Sequence, residues 1–282
     1  MLFGAHCSGG VKAALERAAG IGADAVQLFT QSPRTWRPAK HDPDRLAAFR
    51  KRRGETGMGA VLCHAIYLVN LASPNDEFYE KSVETLATTV DVAVGIEADA
   101  VIFHVGSHQG AGLEAGLERV VPALRLVLER VREPTSLLVE NSAGAGDTIG
   151  RSVDELALLV DRLDGHPRLG ICLDSCHLFV SGVDVTDPGT LDRLVDEVDA
   201  RIGLDRLRAL HVNDAHAALG SNRDRHANVG DGLLGEKLGV FLAQPAFQGL
   251  PAVLEVPGPD NRGADAAEVR RLRELHARWT AA

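Results

Sequence analysis

Eight short apolar runs, each followed by a longer amphipathic stretch, constrain this chain more than any other feature. The runs end in order at His6, Phe29, His64, His104, Glu140, Asp174, His211 and Glu255. Cores such as Ala25-Val26-Gln27-Leu28-Phe29 and Ala100-Val101-Ile102-Phe103-His104 are nearly continuous in apolar character, as expected of parallel strands covered on both faces. Helical patterns fall at 11–19, 44–53, 76–94, 113–132, 152–163, 190–202, 234–242 and 265–278. Ser152-x-x-Glu155 has the form of a capping box, and Asp265 is a good N-cap type. The stretch between His211 and Ala252 is the least regular. Strand then helix, eight times in 282 residues with no linker or internal repeat, predicts an α/β chain. The expectation is one domain, 1–282, folded as a single (β/α)8 TIM barrel.

In such a barrel the active site lies where the strands end. Six of the eight runs finish on a residue that can bind metal: His64, His104, Glu140, Asp174, His211 and Glu255. Two positions earlier stand Leu62, Ile102, Leu138, Cys172, Ala209 and Val253, all small or apolar. One face of each strand therefore reads as core below and ligand at the rim. Taken singly, each polar residue is ordinary where a strand meets a loop; six at equivalent positions are not. Gathering carboxylates and imidazoles in a buried place is costly unless a cation balances them. The mixture suits zinc and its transition-metal neighbours, so manganese or iron can substitute in part. Two local spacings extend the set. His177 lies three residues after Asp174, and Asp224-Arg225-His226 places two donors on one side of an extended segment. Five His, two Glu and two Asp exceed the four donors of one tetrahedral ion. They fit two or three ions with a carboxylate bridging, an arrangement suited to phosphoryl transfer.

Other signals carry less. Gly144-Ala145-Gly146-Asp147-Thr148-Ile149-Gly150 misses the dinucleotide spacing by one residue, and no phosphate-loop pattern is present, so no nucleotide cofactor is expected. His6 and His108 read as residues supporting the ligands or their loops, and Cys172 and Cys176 as buried thiols. His41, His166, His216 and His276 read as ordinary polar positions. The four cysteines form no C-x-x-C pair, no apolar run approaches a membrane span, and the start lacks a secretory signal. A cytoplasmic protein with free thiols is expected. Thirty basic against thirty-nine acidic residues leave a net charge of −9, so any nucleic-acid surface must be local. The segment after the second strand offers Arg34, Trp36 and Arg37, and the one after His64 offers Tyr67 and Leu68. Arginines suit phosphate contact, and exposed apolar bulk suits insertion into a base stack. Arg223 and Arg225 flank Asp224 and are further candidates.

These motifs resemble endonuclease IV, the barrel-type apurinic/apyrimidinic endonucleases. Gly4-Ala5-His6 is similar to the family's opening, Leu28-Phe29-Thr30 through Arg37 to its L-F-T…R-x-W-R segment, and His64 through Leu71 to H-x-x-Y-L-x-N-L. Phe103 through His108, Glu140 through Gly144, Asp174 through His177, His211 through Asp214, Asp224-Arg225-His226 and Leu254-Glu255 resemble its later signatures. The resemblance implies three zinc ions. His64, His104 and Glu140 would hold the first. Glu140 would bridge to a second held by Asp174, His211 and Glu255, and His177, Asp224 and His226 would hold the third. It implies hydrolysis of the phosphodiester 5′ to an abasic site in duplex DNA, leaving a 3′-hydroxyl, with Glu140 and Glu255 catalytic. Removal of blocking groups from 3′ ends by phosphatase or phosphodiesterase action is implied as well. A monomer is expected. The sequence departs from the family in a short turn, Cys7-Ser8-Gly9-Gly10, in Val256 where the family has threonine, and in Arg223, one position later than usual. A metal-dependent sugar isomerase or epimerase on the related barrel is the alternative. It would have little use for His177, Asp224 and His226. A DNA-binding barrel without activity is a third reading, opposed by the complete ligand set.

Overall fold

Burial on both faces is what the eight apolar runs require, and the chain supplies it by closing them into a ring. The computed structural model describes residues 1–281. Its strands and helices run β1 (Leu2–His6), α1 (Gly10–Gly20), β2 (Ala25–Phe29), α2 (Pro43–Thr56), β3 (Ala60–His64), α3 (Asp76–Gly95), β4 (Ala100–Phe103) and α4 (Leu113–Leu128). They continue β5 (Ser136–Glu140), α5 (Val153–Arg162), β6 (Leu169–Asp174), α6 (Ser175–Ser181), α7 (Pro188–Arg201) and β7 (Leu207–His211). The last are β8 (Asp214–Ala215), β9 (His226–Ala227), α8 (Leu238–Ala243), β10 (Pro251–Leu254) and α9 (Ala266–Thr280). The closed barrel has the order β1-β10-β7-β6-β5-β4-β3-β2, parallel throughout, while β8 and β9 pair antiparallel outside it. The chain is a TIM barrel, as expected. Among the described residues no helix is long and apolar enough to cross a membrane.

Two cores result. The larger lies between strands and helices and includes Phe3, Leu28, Phe103, Leu124, Leu173 and Phe241. The smaller fills the barrel: Leu62, Ala100, Ile102, Leu138, Cys172, Ala209 and Val253. Six of those seven are the residues two positions before the rim donors. Strand alternation thus aims His64, His104, Glu140, Asp174, His211 and Glu255 at one end of the ring, above a dry plug.

Several boundaries differ from expectation. β4 and β10 stop at Phe103 and Leu254, so His104 and Glu255 sit one residue past their strands. The fourth helix ends at Leu128 rather than 132, because the chain tightens there with Arg130 N donating to Val127 O. The stretch 234–242 splits into a 3-10 turn and α8, with Gly235 at φ +54°. Ser152 caps α5 by accepting from Glu155 N at 3.2 Å, but the Glu155 carboxylate reaches back to Gly150 N and Arg151 N. Helix α6 and the β8–β9 pair have no counterpart in the expected elements.

Candidate metal centre

Glu140 ends β5 with no exposure and stands among four imidazoles. Its Oε2 lies 3.1 Å from His64 Nε2 and 3.3 Å from His104 Nε2. Its Oε1 lies 2.9 Å from His211 Nδ1 and 3.2 Å from His177 Nδ1. His211 Nδ1 also faces Glu255 Oε2 at 3.3 Å and Asp174 Oδ2 at 4.0 Å. Around the rim, Asp224 reaches His177 Nε2 with Oδ2 at 3.3 Å and His226 Nε2 with Oδ1 at 3.1 Å. All nine expected donors are therefore brought together. Donor atoms of His64, His104 and Glu140 lie within 4.8 Å of one another, as do those of Glu140, Asp174, His211 and Glu255. A third group joins Asp174, His177 and His226, and a fourth joins Cys176, Asp224 and His226.

Local structure explains this arrangement. Asp174 is the N-cap of α6, accepting from His177 N at 2.8 Å, and this places His177 one turn above the barrel. Pairing of Ala215 with His226 delivers His226 to the same place. Asn141 and Asn213, which the sequence shows only inside the Glu140–Gly144 and His211–Asp214 motifs and without a role, are buried in the support of the cluster. Asn141 Oδ1 accepts from Asp174 N and its carbonyl faces His177 Nδ1 at 3.0 Å. Asn213 donates to Asp174 Oδ2 at 2.6 Å and accepts from Glu255 N at 2.8 Å. Their one local signal is adjacency, one residue after Glu140 and two after His211. Gln27, buried in β2, reads in the sequence only as part of an apolar strand.

Charge is balanced within the cluster. Burial opposes ionisation of Glu140, but His104 and His211 outweigh it and hold the carboxyl well below the usual range. Glu255 is also lowered, against burial, by His211 and His6, and Asp224 by His177 and His226. Burial disfavours the imidazolium forms of His211 and His226. Glu255 with Glu140, and Asp224 with Asp174, nevertheless raise them to about 9. Burial prevails at His104 and His6, which are lowered.

The residues fit divalent ions. His64 Nδ1, His177 Nδ1 and His226 Nδ1 face main-chain oxygens of Ala65, Asn141 and Glu255, which can only accept. In the neutral ring that a metal takes, the proton therefore sits there, and the opposite nitrogen presents a lone pair to the cluster. His226 Nε2 is buried with no hydrogen-bond partner although Asp224 Oδ1 is near. A lone pair among carboxylate oxygens is what a cation completes.

Two cavities open at this end of the barrel. One, of about 280 Å³, is walled by six of the donors together with Tyr67 and Arg225. Beside it, sharing Tyr67, lies a larger one of about 760 Å³. Lys12, Arg34, Arg45 and Arg262 line the larger cavity, and among the described residues no Asp or Glu does. Tyr67 is 69% exposed and packs edge-on against Phe29. Leu68, Arg37 and Arg223 are exposed but line neither cavity. His108 stays in its loop, accepting from Gly112 N, and all four cysteines are buried and free.

A closed parallel barrel with carboxylates and imidazoles at its strand ends defines a class. Residues 15–275 match the family described as xylose isomerase-like TIM barrel. Within that class the chain belongs to the endonuclease IV family. A probable endonuclease 4 of Chloroflexus aggregans is 38% identical over 284 residues, covering 99% of each chain. One from Methanoculleus marisnigri is 40% identical over 279 residues, covering 98% of this chain and 99% of the other. The crystal structure of endonuclease IV from Thermus thermophilus matches with a TM-score of 0.85 at 35% identity, covering 99% of this chain and 100% of that one. A D-tagatose 3-epimerase-like protein, 17% identical with a TM-score of 0.72, shares the fold alone.

Proposed function

We propose that this chain is a DNA repair endonuclease hydrolysing the phosphodiester 5′ to abasic sites in duplex DNA. It leaves a 3′-hydroxyl and also clears blocked 3′ ends as a phosphatase and phosphodiesterase. The supporting observation is the set His177, Asp224 and His226, in which Asp224 reaches both rings, joined through His177 to a cluster centred on Glu140. A one- or two-metal sugar isomerase has little use for it. Three zinc ions, partly replaceable by manganese or iron, would polarise the phosphoryl oxygens and lower the pKa of the attacking water.

The chain's own side chains do the rest. His64, His104 and Glu140 would hold the first ion, Glu140 with Asp174, His211 and Glu255 the second, and His177, Asp224 and His226 the third. Tyr67 and Leu68 would fill the space left by a missing base, and Arg34, Arg37, Arg223 and Arg225 would contact phosphates. An abasic nucleotide lacks stacking, which lowers the cost of extruding it toward the donors. The chain acts as a monomer, as one domain spanning 1–282, in the cytoplasm. Elemental analysis of gently purified protein, paired with cleavage of a duplex bearing one abasic site, tests this reading. About three divalent ions per chain and a product ending in 3′-hydroxyl are expected. One ion per chain, or an intact duplex, would overturn it.

A further inference from the structure

Gln27 lies at the middle of β2, wholly buried, paired in register with His6 on β1 and Leu62 on β3. Leu62 belongs to the barrel plug, so Gln27 is a polar side chain on the face that elsewhere is apolar. An amide there is costly unless it is fully bonded, and it is. Its Oε1 lies 2.7 Å from His211 Nε2, and its Nε2 donates to Glu255 Oε1 at 2.6 Å and contacts His6 Nδ1 at 3.0 Å. The network fixes the amide's orientation. Reversed, its carbonyl would oppose the Glu255 carboxylate. With Oε1 accepting, a neutral, ligating His211 keeps its proton on Nε2, and its Nδ1 lone pair is directed to the side of Glu140, Glu255 and Asp174. With Oε1 of Glu255 taken by Gln27, Oε2 is the oxygen that faces His211. The rings of His64, His177 and His226 are oriented by main-chain carbonyls, whereas that of His211 depends on a side chain.

We propose that Gln27 is a positioning residue of the metal centre, one carboxamide setting both the ring tautomer of His211 and the carboxylate rotation of Glu255. This rests on the reading of the cluster as a metal site. An apolar residue of equal length would leave His211 Nε2–H without a partner and Glu255 Oε1 with only His6 Nδ1, 3.7 Å away. Both groups could then turn away from the ions. Losing such an outer partner costs 10- to 100-fold in metal affinity in comparable sites.

The test compares zinc-loaded parent with Gln27→Met, which keeps length and loses every bond, using a competing fluorescent chelator. The expected result is one zinc equivalent held roughly 10- to 100-fold more weakly, with an unchanged circular dichroism spectrum. In proton–nitrogen spectra of the zinc-loaded parent, His211 should show a slowly exchanging Nε2–H that disappears in the variant. A purely structural role would lower the melting temperature without moving either readout. If the thioether prevents folding, Gln27→Asn replaces it, with loss of the His211 signal again expected. A folded variant that keeps parental zinc affinity and the His211 proton overturns the role of Gln27. A parent that takes up no zinc overturns the metal reading instead.

Discussion

Glu255 uses both carboxylate oxygens, one on Gln27 and one toward His211, and its main-chain N–H is held by Asn213. Glu255→Gln replaces an oxygen with an amide that can neither bind a cation nor face the Gln27 NH₂ group. We expect turnover to fall about 100-fold or more, in the range seen for loss of a preorganised electrostatic group. The melting temperature should stay within a few degrees of the parent. Parental cleavage rates in steady-state assays would remove Glu255 from the site. Arg34 and Tyr67 line the cavities and touch no donor oxygen. Arg34→Ala and Tyr67→Ala should each weaken binding of abasic duplex while leaving zinc content intact. Fluorescence anisotropy and elemental analysis on the same samples separate the two effects, and unchanged binding in both would reduce these loops to rim packing. Which of these residues the sequence reveals follows from chemistry. His64, His104, Glu140, Asp174, His211 and Glu255 announce themselves because each interrupts an apolar run at its end. Gln27 does not, because its partner Glu255 is 228 positions away and nothing local marks the pairing.

The loop that follows Asp224 and His226 is held by Asp214, wholly buried at the start of a two-residue strand that pairs with the one carrying His226. Its carboxylate accepts from the N–H groups of Ala215, Gly230, Gly232, Leu234 and Gly235. Gly232 is required there, since a Cβ would come within 2.4 Å of Asp214 Oδ1. Asp214→Asn turns one acceptor into a donor, so at least two buried N–H groups lose their partner. A destabilisation of about 3 kcal/mol or more is expected, read by urea denaturation, together with weaker retention of one zinc. An unchanged denaturation midpoint would show that the loop is held by other means. Legibility falls off in this region for a physical reason. The barrel strands read clearly because both faces are buried, and long helices read clearly through their period. Strands β8 and β9, with two residues each, have no period. Helix α6 has seven residues that continue the apolar character of β6, and only Asp174 as N-cap hints at it. Segment 234–242 is apolar enough for a helix, but Gly235 lets the chain turn first.

A net charge of −9 opposes approach to DNA, so locally basic surface must carry any attraction, and Lys12, Arg34, Arg45 and Arg262 on the wall of the larger cavity add to Arg37, Arg223 and Arg225 as donors for it. If the four on the cavity wall each neutralise one phosphate, log affinity against log salt should fall with a slope of roughly −3 to −4. Arg34→Ala should flatten it by about one; a slope near zero would place binding elsewhere. Metal held by these donors would act on stability as well, since it would bind the folded ring and not its fragments. At about a thousandfold excess over the dissociation constant it would contribute about 4 kcal/mol. Chelation should therefore lower the melting temperature by about 10 °C for a chain of this length, and an unmoved transition in calorimetry would contradict a bound cluster. Closure of the ring pairs Leu2 with Pro251. The donors come from β3, β5, β6, α6, β7, β9, the turns after β4 and β10 and the turn before β9. The centre thus has an order in time: it cannot form on a nascent chain until the strand ending at Leu254 has emerged and found its place beside the first. During synthesis, any metal these donors hold would arrive last.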